Sequence, residues 1–291
     1  MRLIYKILFA LSLILIILSL FSIFSYGLKL GIDFKGGSAL RLEFENSPDL
    51  AKIKSALRKS GAENFTVSSL GQKGVVVKTR NLSEQEHQNI LLHLKEAGNF
   101  EEKSFDSIGP LIGRELKSKS LKAILISLFI ISIYLAVMFK KVRGVINSWS
   151  LALSVFFAGA HDLLIPLGVF AYLGKTRGIE LDAPMIAAAL TIIGYSINDT
   201  IVVFDRIREN VLMSSQQSFS QTVHLSVKQT LFRSLGTSLT TLFSLIAIFF
   251  YGGETLKNFS LALIIGIGSG AYSSIAVASP LLMLLPKKAK T

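Results

Sequence analysis

The chain has 291 residues, of which 51% are hydrophobic and only 17% charged, with a formal net charge of +12 and no cysteine. Soluble domains carry about 25% charged residues, so this composition belongs to a chain with lipid as much of its solvent. The absence of cysteine excludes disulfides, thiolate metal sites and cysteine nucleophiles, and the positive charge raises a nucleic-acid reading that its placement must answer.

Six segments are long and apolar enough to span a bilayer, at about 20 residues each: 7–26, 121–139, 145–173, 183–204, 231–251 and 259–285. The first follows Arg2 and Lys6, as a signal peptide would. Its apolar run exceeds an h-region and no A-x-A site follows it, so an uncleaved anchor is expected. The chain is therefore expected to divide into a first transmembrane helix (1–27), an extracytoplasmic α+β domain (28–119) and a five-helix transmembrane region (120–291). Lys140, Lys141 and Arg143 follow the second span, Arg206, Arg208 and Lys228 follow the fourth, and Lys287, Lys288 and Lys290 end the chain. The short loops on the other side carry only Lys175, Arg177 and Lys257, offset by Glu180, Asp182 and Glu254. The positive-inside rule then places both termini in the cytoplasm and makes most of the charge topogenic. Nucleic acid is not an expected partner; membrane lipid is.

In the segment between the first two spans, Leu40, Leu42 and Phe44 alternate with Arg41, Glu43 and Glu45, the period of a half-buried strand. Ser47-Pro48-Asp49 opens a helix to about Ser60, with Leu50, Ile53, Ala56 and Leu57 on one face and Gly61 as its stop. Residues 65–70 and 75–79 read as strands around a Gly71-Gln72-Lys73-Gly74 turn. Ser83 and Glu86 have the spacing of a capping box for a helix to about Ala97, and residues 100–108 form a last strand. The order β-α-β-β-α-β is the ferredoxin-like pattern, a fold that hosts many functions and identifies none. Gly71-x-x-Gly74 lacks the Gly-Lys-Ser/Thr ending of a phosphate loop, so a docking module is favoured over a small-molecule site. Before this domain, Gly31-Ile32-Asp33-Phe34-Lys35-Gly36-Gly37 reads either as a wet turn or as a rigid hinge, and spacing does not choose.

Three spans carry charge. His161-Asp162 interrupts the third, Asn198-Asp199 the fourth, and Arg233 lies near the start of the fifth. Ionisable residues at membrane depth default to function. Consecutive spans run antiparallel, so Asp199, about 7–9 Å inside the end of its span, and Arg233 are expected at similar depths. Asp199 reads in three ways: a packing residue bonded through Asn198 and Thr200, a static ion pair with Arg233, or a titrating site. Burial favours its neutral form and a guanidinium its charged one, so separating the pair would trigger protonation. Asp205, beside Arg206 and Arg208, reads as an interfacial anchor. His161 and Asp162 are candidates for a supporting relay. A metal site is not expected, because the other three histidines lie in aqueous segments. Gly194-Tyr195-Ser196 with His161 raises an intramembrane serine protease, but Ile197 stands where such enzymes usually carry glycine. In the sixth span Gly266 and Gly270 form a small-xxx-small pattern, and with Gly194 they are candidate helix-packing positions.

Residues 193–210, IGYSINDTIVVFDRIREN, resemble the fourth-span signature of the SecD/SecF family of bacterial protein-export membrane subunits. Gly31–Gly37 is similar to the family's glycine-rich motif after the first span, with Lys35 where Thr is common. His161-Asp162, Gln229-Thr230-Leu231-Phe232-Arg233 and Tyr251-Gly252-Gly253 fall where the family has similar residues, Phe232 replacing a frequent His. The resemblance covers nearly the whole chain. It implies the resistance-nodulation-division superfamily, use of the proton gradient, and proton flow tied to Asp199 and Arg233. It further implies a cell-membrane location and, as partners, a SecD-type subunit with a similar six-span bundle, the SecYEG channel, YajC and translocating preproteins. No cofactor and no enzymatic activity are expected. The alternatives are half of a heteromeric small-molecule exporter, the serine protease and a passive scaffold.

Overall fold

The computed structural model describes residues 3–139, 147–213 and 218–285. Arg2, Lys140, Lys141, Arg143, Lys287, Lys288, Lys290 and the side chain of Glu254, all used in the charge reading, lie outside the described residues. The chain forms two compact units: Leu30–Leu121 with Leu181–Ala183, and the remaining segments Met1–Lys29, Lys122–Glu180 and Pro184–Thr291.

The first unit is α+β. Its elements run α2 (Ile32–Lys35), β1 (Gly37–Phe44), α3 (Leu50–Lys59), β2 (Thr66–Leu70), β3 (Gly74–Thr79), α4 (Glu84–Leu94) and β4 (Phe100–Ile108). The sheet order is β2-β3-β1-β4 with every pair antiparallel, the arrangement expected from the β-α-β-β-α-β pattern. Even positions of β1 face the helices: Leu40, Leu42 and Phe44 pack with Ile53 and Leu57 of α3, Val75 and Val77 of β3, and Ile90 and Leu94 of α4. Odd positions face away, where Arg41 donates to Ser104 and Asp106 and Lys103 pairs with Glu43. Asp49 accepts from the Ala51 amide at 2.9 Å, and Ser83 and Glu86 complete the capping box of α4.

The glycine motif carries local structure that spacing did not indicate. Its centre is a single helical turn, α2, with Phe34 buried. Gly31 donates to the Leu181 carbonyl at 2.8 Å, and Asp33 Oδ2 accepts from the Ala183 amide at 2.6 Å. The motif thus holds the three-residue strap 181–183, a partner far away in sequence and invisible to local spacing.

The second unit is helical: α1 (Leu3–Tyr26), the later part of α5 (Pro110–Met138), α6 (Ser148–Arg177), α7 (Pro184–Met213), α8 (Phe219–Tyr251), α9 (Glu254–Ser273) and α10 (Ser279–Leu284). Six of its helices, with α9 and α10 counted as one, are long and apolar enough to cross a membrane. Two begin well before the apolar runs: α5 at Pro110 rather than 121 and α8 at Phe219 rather than 231. Hydropathy marks the lipid-matched part of a helix, whereas Ser218 and Gln221 cap α8 in its polar extension.

Alpha9 and α10 are joined by a π-helical turn, Ser274–Ala278. Pro280 is the cause: it lacks an amide for the Ala276 carbonyl, and its ring crowds that carbonyl in a regular helix. The Ser279 amide reaches Ser274 instead, reinforced by Ser279 Oγ donating to the same carbonyl at 2.7 Å.

Candidate functional site

The inward face of α7 reads Ile192, Ile193, Ser196, Ile197, Asp199, Thr200 and Val203, the three-and-four spacing of a helix stripe. Asp199 is therefore inside, with 2% exposure, and Asn198, the next residue around the helix, is exposed. Alpha8 supplies the partners. Ser238 Oγ donates to Asp199 Oδ2 at 2.9 Å and Thr237 Oγ1 lies 3.4 Å from Oδ1. Thr237 has one proton and also lies within reach of the Arg233 and Ser234 carbonyls, so Ser238 is the firmer donor. Tyr195 OH ties the two helices one turn away, donating to the Thr237 carbonyl at 2.6 Å.

Arg233 is exposed and makes no ion pair with Asp199 among the described residues. It sits four residues before Thr237, about 6 Å along the helix, and lines a polar cavity of about 180 Å³ with Val202, Asp205, Arg206, Glu209, Gln229 and Thr230. The carboxylate and the guanidinium are thus offset by one turn. Asp205 pairs with Arg208 at 3.2 Å in a half-exposed contact, as an interfacial anchor would. Phe232 is 89% exposed and points out of the bundle.

A second polar cluster surrounds His161 and Asp162, both fully buried. His161 Nδ1 is 2.8 Å from Asp162 Oδ1, and Asp162 Oδ2 accepts from Ser196 of α7 and from Ser273 of α9 at 2.6 Å. Ser196 therefore donates to a carboxylate and not to His161, so the Ser–His contact a hydrolase needs is not formed. Thr200 donates back to the Ser196 carbonyl within α7 rather than to a neighbouring helix.

Close packing brings these clusters together. A Cβ at Gly266 would collide with Ile192, and one at Gly270 would lie 3.2 Å from Ser196 Cβ, so α9 rests directly on α7 at both glycines. Gly194 differs, since a Cβ there would meet nothing within 4 Å among the described residues. In the α+β unit, a Cβ at Gly31 would overlap Asp182. Gly36 at φ 80° presses on Pro110, and Gly37 at φ 137° presses on the Thr79 carbonyl.

The residues that sequence reasoning missed are Ser238, Thr237, Ser273 and Tyr272. A signal existed for the first two: Thr230, Ser234, Thr237, Ser238 and Thr241 recur at helical spacing through α8, a polar stripe in an otherwise apolar span.

Six helices long and apolar enough to cross a membrane, two buried carboxylates among them and one ferredoxin-like α+β unit define a multi-pass membrane protein. Residues 88–288 match the family model "Protein export membrane protein SecD/SecF, C-terminal", and residues 21–48 match the SecD/SecF GG motif. The chain belongs to the SecD/SecF family of protein-export membrane proteins. It is 42% identical to protein translocase subunit SecF of Thermobaculum terrenum over 94% of this chain and 90% of that one. To protein translocase subunit SecF of Pseudomonas aeruginosa it is 34% identical over 95% and 88%. It is also similar to the crystal structure of SecDF, a translocon-associated membrane protein from Thermus thermophilus, with a TM-score of 0.85 and 34% identity. That likeness covers 96% of this chain and 37% of the longer SecDF chain.

Proposed function

We propose that this chain is an auxiliary subunit of the Sec protein-export machinery that works with a SecD-type partner to couple proton passage to preprotein translocation. The family membership and the SecF relatives support the export role. The observation that carries the proton reading is Asp199, a carboxylate buried within a span and held by hydroxyls of the next helix. A hydroxyl donates to a carboxylate and accepts from a carboxylic acid, so Ser238 has a bond to make in either state. Arg233, one turn away at a polar cavity, is placed to stabilise the charged state when the two helices slide by a turn.

The reading puts the chain in the cell membrane with both termini in the cytoplasm and residues 28–119 outside, where emerging preprotein is handled. SecYEG and YajC are its further expected partners. The test is Asp199→Asn in inverted membrane vesicles with the partner subunit present. The variant inserts and assembles normally, and gradient-dependent stimulation of secretion is lost. Full stimulation in the variant would defeat proton coupling and leave a scaffold.

A further inference from the structure

The helical unit holds a second carboxylate that the Asp199 reading does not use. Asp162 is at 0% exposure and its Oδ1 is 2.8 Å from His161 Nδ1; three side chains from two other helices converge on this pair of α6: Ser196 of α7 and Ser273 of α9 both donate to Asp162 Oδ2, and Tyr272 OH of α9 is 3.2 Å from His161 Nε2. Gly270 faces the cluster: a Cβ there would stand a tight 3.2 Å from Ser196 Cβ and in ordinary contact with Asp162 Oδ2.

The kind of partner is informative. A carboxylate meant to stay ionised in a dry interior is best met by donors that cannot turn around, such as guanidinium or backbone amide groups. Asp162 instead meets two hydroxyls and an imidazole. Each of these donates to a carboxylate and accepts from a carboxylic acid after a rotation or a change of tautomer. Both protonation states of Asp162 therefore have a full set of partners, and neither leaves a buried group unpaired. The titratable groups that face it are His161 beside it, Tyr272 from α9 and Asp199 from α7. Alpha1 brings the hydroxyl of Ser12 beside Tyr272.

The cluster also sits at a break in the helix. Tyr272 and Ser273 are the last two residues before the π-helical turn Ser274–Ala278, where the ladder is already shifted by one residue. Such turns are frequent at functional sites because a small shift exchanges their bonds. Within it, Ser274 Oγ is buried without a hydrogen-bond partner among the described residues, a donor left over for an alternative arrangement.

We propose that Asp162 is a second proton-binding carboxylate of this chain, and that its protonation state sets the grip of α6 and α7 on α9 at the start of the π-helical turn. Binding forms one O–H bond on Oδ2 with a proton drawn from the aqueous phase. The Ser273 or Ser196 hydroxyl turns from donor to acceptor, and release reverses both. The inference deepens the proton-coupling reading by adding a site on α6 and α9 to the one on α7 and α8.

The test is pH-difference infrared spectroscopy of the full chain, reconstituted in lipid with its partner subunit, reading the carboxyl C=O stretch. In an Asp199→Asn background a carboxyl band remains; Asp162→Asn removes it and Ser273→Ala shifts its frequency by deleting one hydrogen bond. Surface carboxyls also titrate, but they do not respond to Ser273→Ala. Should Asp162→Asn fail to assemble, the Ser273→Ala shift decides alone. Spectra in which no carboxyl band responds to Ser273→Ala overturn the proposal, for they mean that Asp162 holds one state throughout. The band is read without secretion. An Asp199→Asn protein that still secretes therefore defeats the coupling reading and leaves this one to be judged separately.

Discussion

The two units of this chain are built inside out with respect to each other. The α+β unit buries Leu40, Leu42, Ile53, Leu57, Val75, Val77 and Leu94, and it displays ion pairs such as Lys59–Glu96 and Arg80–Glu86. The helical unit exposes Ile14, Phe21, Phe24, Ile130 and Phe250 and buries Ser154, His161, Asp162, Ser196, Asp199, Ser238 and Ser273. Water drives the first arrangement by expelling apolar surface. Lipid tails are as apolar as leucine, so helices in lipid gain little by hiding it and are joined by close packing and interhelical hydrogen bonds. Charge inside the second unit is therefore no fault of folding. It sits where a membrane protein keeps its working groups.

Five substitutions probe this contrast. The largest effect is expected from Gly266→Leu, which drives a side chain into Ile192 and separates α9 from α7. The chain should lose its protease-resistant, monodisperse form in detergent, whereas Gly194→Leu should keep it, since among the described residues nothing lies within 4 Å of a Cβ there. Equal behaviour of the two variants would mean that close packing does not join these helices.

The next effect belongs to Leu57→Ala, which empties a fully buried position of the α+β core. The loss is about 2–5 kcal/mol, read as a lower denaturant midpoint for exposure of the α+β unit to protease in the full chain. In the helical unit Ser132→Ala removes a hydroxyl that, among the described residues, is bonded to the Leu128 carbonyl of its own helix. It should change stability by about 1 kcal/mol or less. A Ser132→Ala loss as large as that of Leu57→Ala would erase the distinction between the two units.

The smallest effect is electrostatic. The Ser83 amide and hydroxyl and the Arg80 guanidinium hold the Glu86 carboxyl at about 2, below its ordinary 4.5. A depressed carboxyl contributes stability that is whole above pH 4.5 and is lost as pH falls through about 2. Glu86→Gln should therefore flatten the acid limb of α+β unfolding within that window, measured as denaturant midpoints against pH. An unchanged slope would show that the capping box carries no titrating contribution. The Glu86 side chain is partly exposed, so the effect should shrink as salt is added.

Much of this molecule is local and could be read in the chain alone. Six apolar runs of bilayer length, the alternation from Leu40 to Phe44, the Asp49 and Ser83 caps and the Gly71–Gly74 turn each depend on near neighbours. They led to the spans, the β-α-β-β-α-β order and, through that order, the sheet. The isolated Asp199 in a span also marked a candidate site, because a charge in lipid needs a reason wherever its partners come from.

Partners are another matter. Spacing put Asp199 and Arg233 at similar depths, and only the packed helices show Ser238 on the carboxylate with Arg233 a turn away. Ser196, weighed as a nucleophile, became a donor to Asp162 once α6, α7 and α9 met. Asp33, in a motif that spacing left between turn and hinge, holds the amide of Ala183 across 150 residues of chain. Periodicity tells which residues share a helix face, but not how far one helix is rotated or slid against the next. That rotation and slide follow from interlocking side chains such as Ile192 against Gly266, and they exist only in the folded bundle.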